Sequence, residues 1–328
     1  MKTGLADNAI FRFGLKMRAK QTSSVVMISI VTAIASLIMA VVVIVMNAGS
    51  NPSYPDSQTG QILYFVFMSL HLALMFILCP AVSGSAISSE REQQTLDMLV
   101  CSQMTPMQII TGKFLSSLSW IGIVTVSLLP AFAVMSVVGG VSALSIAAAL
   151  IFNVWLAAGI TSLAVFYSSK IKRTGGAIVL TYITLIGIVF VDFILSLTYY
   201  GIEESIYYAI QAAGYMPAFN LHIPVPLFIN PILGYVMLVV ALIFGGSTST
   251  QILSEFVSGM TVESWNWWVI IAANVVFYSA LAFLLLRSSA RSIDPMRESR
   301  RAQRRAAKQN RRAAKLAAKQ GAGQYAGR

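Results

Sequence analysis

The sequence predicts an all-α integral membrane protein with six transmembrane helices, and three observations lead there. Of its 328 residues, 57% are hydrophobic and 11% charged, with a mean hydropathy of +0.74; a soluble domain carries about 25% charged residues. Several apolar runs reach the ~20 residues a helix needs to cross ~30 Å of hydrocarbon. Lys and Arg are segregated so that one topology places all of them on the same side, the arrangement the positive-inside preference demands.

Residues 1–24 carry Lys2, Arg12, Lys16, Arg18 and Lys20 among Ile10, Phe11, Phe13, Leu15 and Met17. That pattern predicts an amphipathic helix in the inner headgroup layer, its cations snorkelling to water. A solvated basic leader is the plainer alternative. The first span is 25–46, too long for a signal-peptide core. A turn-rich loop with Asp56 follows, then a second span at 61–82. His71 lies inside that span, with no evident acidic partner, and is expected to hydrogen-bond within the bundle rather than relay protons.

The third span is 114–138, with a kink at Pro130, and a tight turn at Gly139 to Ser142 leads into the fourth, 144–167. Lys170, Lys172 and Arg173 mark an inner loop before the fifth span, 177–198, whose Asp192 is expected to reach the outer interface. The segment 199–264 contains Glu203, Glu204, Glu255 and Glu263 and no Lys or Arg. Its apolar part, 223–246, would put the basic tail outside if it crossed. Pro224, Pro226 and Pro231 interrupt its start, so it reads as a re-entrant outer hairpin or a pair of short passes. Trp265, Trp267 and Trp268 anchor the start of the last span, 269–286. The domains are thus an interfacial helix (1–24), a six-span body (25–286) and a tail (287–328), with both termini cytoplasmic at the cell membrane.

The tail holds the whole charge imbalance: its thirteen Lys/Arg against Asp294 and Glu298 give +11, the formal net charge of the chain. Arg297, Arg301, Arg304, Lys308, Arg311 and Lys315 recur at helical spacing opposite alanines. Anionic inner-leaflet lipid is their natural partner, at ~1 kcal/mol per cation held near the surface. A solvated topogenic tail is the alternative, and no aromatic interleaving supports nucleic-acid contact.

The stretch 88–113, SSEREQQTLDMLVCSQMTPMQIITGK, interrupts the apolar first half. Ser89 and Glu92 have capping-box spacing, as do Thr105 and Gln108, with Pro106 at the first helical position. A short helix across the membrane face, a turn at Cys101 to Met104 and a helix rising into the third span follow from these caps. Cys101 and Cys79 have no metal or disulfide spacing and are expected to be ordinary thiols.

At these residues the chain resembles the permeases of ABC exporters of the type-2 membrane-protein class. Their inner loop between the second and third spans reads Glu-Arg, Gly-Thr-Leu-Glu, a Leu-rich turn, a Pro and Gly-Lys. Here the matches are Glu90, Arg91, Thr95, Leu96, Leu99, Pro106, Gly112 and Lys113, with Asp97 in the acidic position and Gln94 replacing the usual glycine. NAIFRFGLKMRAK is similar to the family's interfacial elbow helix, and Asn230-Pro231 to its outer segment. The resemblance implies a coupling helix that faces an ABC ATP-binding subunit, a second permease copy or paralogue, and ATP with Mg on the partner.

No cofactor is expected on this chain itself, and it is not expected to be an enzyme. Gly112-Lys113 precedes Phe114 and lacks the upstream glycine of a phosphate loop, and there is no HExxH. An ion-coupled secondary transporter working through His71 and Asp192, and a non-transport membrane assembly using the tail, are the rival classes.

Overall fold

The computed structural model describes residues 9–20, 22–47, 57–100, 104–139, 141–212, parts of 232–242, and 266–294. Every regular element among them is an α-helix. In chain order these are α1 (Ala9–Lys20), α2 (Thr22–Asn47), α3 (Ser57–Ser83), α4 (Ser88–Glu92), α5 (Leu96–Val100) and α6 (Pro106–Ser127). They continue with α7 (Leu129–Gly139), α8 (Ala143–Lys170), α9 (Thr174–Ala212) and α10 (Asn266–Ser292). Five helices are long and apolar enough to cross a membrane: Tyr64–Glu92, Pro106–Ser127, Ala143–Lys170, Thr174–Tyr199 and Ile271–Ser292. Val25–Ile38, within α2, is a shorter apolar stretch. The chain is therefore a multi-pass membrane protein. The basic-tail residues Arg297 to Lys315, the loop around Asp56, Cys101 and most of 213–265 lie outside the described residues.

The centre of the bundle is α8, which packs against α3, α6, α9 and α10. Its sequence explains why. Ala149, Asn153, Ala157, Thr161, Ala164 and Ser168 recur every three or four residues and are fully buried. Small side chains at helical spacing let neighbouring backbones approach, which is how helices gain packing energy where lipid removes the hydrophobic drive. By contrast, large apolar side chains such as Leu37 and Ile44 on α2 and Ile186 and Phe193 on α9 are exposed, and these faces suit lipid.

Several expected boundaries move. The third span is two helices, because α6 ends at a cap on Leu128 just before Pro130, whose ring removes a backbone donor. Ser127 at this break donates to the Val124 carbonyl at 2.7 Å, and its hydroxyl shares a 3.2 Å hydrogen bond with Thr32 of α2. The apolar segment Thr174–Tyr199 matches the expected fifth span, 177–198, but its helix continues beyond it: α9 has 39 residues, about 58 Å at 1.5 Å per residue, nearly twice the hydrocarbon thickness. Asp192 is not at an exposed interface but 4% exposed, because α9 turns it inward. Helix α1 packs on α6, with Gly14 set against Ser116 so closely that a Cβ would have no room.

The described residues of 232–242 are helical and enter the core. Tyr235, Leu238 and Val239 are buried beside Tyr64 and Phe152. Near α8 Asn153 is the Tyr235 hydroxyl, and near Ser145, eight residues or ~12 Å closer to the start of α8, is the Leu242 carbonyl. The stretch thus runs antiparallel to α8, from mid-depth toward its starting end.

Gly84, where α3 gives way to the loop, faces Ile178 of α9. A Cβ there would lie 2.7 Å from the Ile178 Cγ1 atom and 2.7 Å from the Pro80 carbonyl. Gly84→Ala is expected to cost ~1–3 kcal/mol, read as a lowered Tm of the detergent-purified protein. An unchanged Tm would contradict this packing of α3 on α9.

Candidate functional site

The polar loop between α3 and α6 is held by a network of side-chain hydrogen bonds, and its three consecutive charges reach three different helices. Glu90 takes Lys113 of α6 as an ion pair at 2.5 Å. Arg91 donates from Nη2 to the Ser169 carbonyl at the end of α8, 3.1 Å away. Glu92 receives the Thr174 backbone N–H at 2.9 Å and its hydroxyl at 2.6 Å, which caps the first turn of α9. A cation on a C-terminal carbonyl and a carboxylate on an N-terminal N–H are each favoured by the helix dipole.

Further contacts hold the backbone. Ser168 Oγ accepts from both the Ile87 and Ser88 amides at 2.9 Å, so α8 serves as an external cap for α4. Thr95 donates from Oγ1 to the Glu90 carboxylate at 2.7 Å, and its amide donates to the Glu90 carbonyl at 2.9 Å. Leu96 is buried with Ile109, Ile110 and Val165, and Leu99 packs on the same cluster. Between α4 and α5, Gln94 adopts φ +58°, the left-handed region that glycine enters freely. It occupies the position where the resembled family carries glycine.

Glu90, Thr95 and Lys113 meet in one cluster. Arg91 and Leu96 contact the protein's own helices, and Glu90 and Arg91 are half-buried. Pro106 stands at the first position of α6, and the capping box of Thr105 and Gln108 is present, at 3.3 and 2.8 Å. Gly112 is buried in α6, one residue before Lys113. Asp97 belongs to α5, but its side chain lies outside the described residues.

The capping box expected at Ser89 and Glu92 does not form. Ile87 is the cap residue, Ser89 Oγ donates back to the Ser85 carbonyl at 2.6 Å, and Glu92 is drawn away to α9. Among the described residues of the loop, Glu92, Gln93, Gln94, Met98 and Thr105 are exposed, Met98 by 77%. Sequence reading missed Ser168, Ser169 and Thr174. Nothing in their own segments marks them, although Thr174 directly follows the cation Arg173.

A second polar group lies deep in the bundle. Asn153 Nδ2 is 2.7 Å from His71 Nδ1 and 3.4 Å from the Tyr235 hydroxyl, which itself donates to the Met68 carbonyl. The expected hydrogen bonding of His71 within the bundle is therefore met, by a neutral partner. His71 Nε2 and Asn153 Oδ1 have no hydrogen-bond partner among the described residues. A cavity of about 90 Å³ between α2 and α3 reaches the ring and is large enough for water. Among the described residues, no group of three or more His, Cys, Asp and Glu is placed to hold a metal.

Two outcomes test the loop. Burial pushes the Glu90 carboxyl up, but hydrogen bonds from Lys113 and Thr95 and the Lys113 charge outweigh it, so the group titrates below its ordinary 4.5. A depressed carboxyl stabilises the fold above its unfolded value and loses that stability as pH falls through the folded one. The Tm advantage of wild type over Glu90→Gln should therefore be present at pH 7 and fade on acidification below 4.5. Gln94→Gly should raise stability by ~1 kcal/mol, because it removes the left-handed strain; a lowered Tm would contradict the backbone described.

No protein-family model matches the chain, and no curated protein is detectably similar to it. Its functional reading therefore rests on the loop, the membrane bundle and the motif they carry.

Proposed function

We propose that the chain is the membrane-spanning permease subunit of an ATP-driven ABC exporter of the type-2 class, with loop 88–113 as its coupling element. Six spans place both termini in the cytoplasm at the cell membrane, with α1 as the interfacial elbow and the stretch ending near Leu242 as the rising limb of a re-entrant outer segment. Separate ATP-binding subunits, carrying ATP and Mg, drive alternating access in a pair of permeases. The tail cations Arg297 to Lys315 contact anionic lipid of the inner leaflet.

One observation carries the reading: the loop is bound to α6, α8 and α9 through Lys113, Ser169 and Thr174. A push on the loop is transmitted to three helices at once, as a coupling element requires. This assigns Glu90, Arg91 and Glu92 to transmission, and leaves Gln93, Gln94 and Met98 to touch the motor. A gradient-driven transporter would need a titrating relay, and His71 is paired instead with neutral Asn153.

Co-expression with a candidate ABC ATP-binding subunit tests the assignment. Met98→Glu should reduce co-purification at least tenfold, about 1.4 kcal/mol. Glu92→Gln should keep the complex but sever the response of ATPase activity to the permease. Retention of both properties in both variants would sink the proposal.

A further inference from the structure

Between α9 and α10, floored by α8, runs an apolar groove of about 340 Å³. Leu185 and Val189 form one wall, Ala282 and Phe283 the other, and Gly159 lies in the floor. A Cβ on Gly159 would meet nothing within 4 Å, so the groove is open down to the backbone of α8.

Its two ends differ in chemistry. One is closed by Trp155 and Tyr278, whose rings meet edge to face at 6.2 Å, and by the 3.0 Å hydrogen bond from Trp155 Nε1 to Ser279 Oγ. At the other end the lining stops at Leu286, and the next residue is the exposed Arg287. Further along α8, two turns past Ser162, Lys170 lies over the Phe166 ring at 4.2 Å. Hydrogen bonds at Trp155–Ser279 and Ser292–Ser169 show α8 and α10 running parallel, so depths on the two helices can be compared directly.

From Tyr278 to Leu286 is eight residue steps, about 12 Å. One leaflet of hydrocarbon is half of ~30 Å, or ~15 Å. The apolar lining thus starts beside a cation and ends at an aromatic stop after roughly one leaflet of depth.

We infer that the groove is a phospholipid site, holding one acyl chain of a glycerophospholipid along α8 with the lipid phosphate at Arg287. The walls offer little to a polar solute. A cation at the mouth matches a phosphate, which a packed helix does not supply, and an arginine fork suits that group. The inference depends on the membrane bundle and not on the transport reading.

Trp155 makes the site observable. The full-length protein, with Trp120, Trp265, Trp267 and Trp268 changed to Phe, is reconstituted in phosphatidylcholine containing chain-brominated phosphatidylglycerol. The same signal can be taken as the difference between wild type and Trp155→Phe, should the multiple variant fold poorly. Trp155 quenching is expected to exceed that of a randomly mixed lipid, with an association constant about fivefold above that of the host lipid, the effect of one cation at the surface. Gly159→Leu, which adds a better helix former into open space, should remove the excess quenching. Arg287→Gln should abolish the headgroup preference while chain quenching remains.

Quenching at the random level in wild type, unchanged by Gly159→Leu, would overturn the site. So would absent quenching together with a disulfide between copies in Leu281→Cys, which would assign the groove to a second copy of the chain.

Discussion

The close approach of helices along α8 is the constraint on which the remaining packing depends. Six small or polar residues, from Ala149 to Ser168, form one fully buried stripe. A large side chain anywhere along it would separate α8 from its neighbours, because cores tolerate added volume poorly. The same stripe ends in Ser168, whose hydroxyl receives two loop amides. Bundle packing and loop position are therefore set by one helix.

The loop is held by geometry more than by energy. Exposed ion pairs contribute little, ~0–1 kcal/mol, and Glu90 and Lys113 remain roughly a quarter exposed. What their contacts supply is register: each charge has one complementary helix end or partner within reach. The buried Leu96 provides the apolar anchor, and left-handed Gln94 turns the chain between α4 and α5. Of the three charge contacts, that of Glu92 with Thr174 is the most exposed.

The polar cluster of His71, Asn153 and Tyr235 ties α3, α8 and the 232–242 stretch together at mid-depth. A neutral amide between an imidazole and a phenol joins three segments without burying a net charge, which hydrocarbon would penalise heavily. The groove at α9 and α10 is the apolar counterpart: there, α8 lies open between the other two helices.

Composition and periodicity by themselves determined that the chain is helical and multi-pass, and where most apolar helices lie. The reason is physical: ~20 apolar residues and segregated cations have few other outcomes. Local caps were equally legible where donor and acceptor are neighbours in sequence, as at Thr105 and Gln108. They misled at Ser89 and Glu92, because a carboxylate with local and distant donors takes the better-placed one, and Thr174 is 82 residues away. Tertiary structure decided everything that depends on such distant pairs: the partners of Glu90 and Arg91, the burial of Asp192 and the groove along Gly159. Each is fixed by which helix lies alongside, and helix adjacency is not written in the apolar runs that lipid and protein satisfy alike.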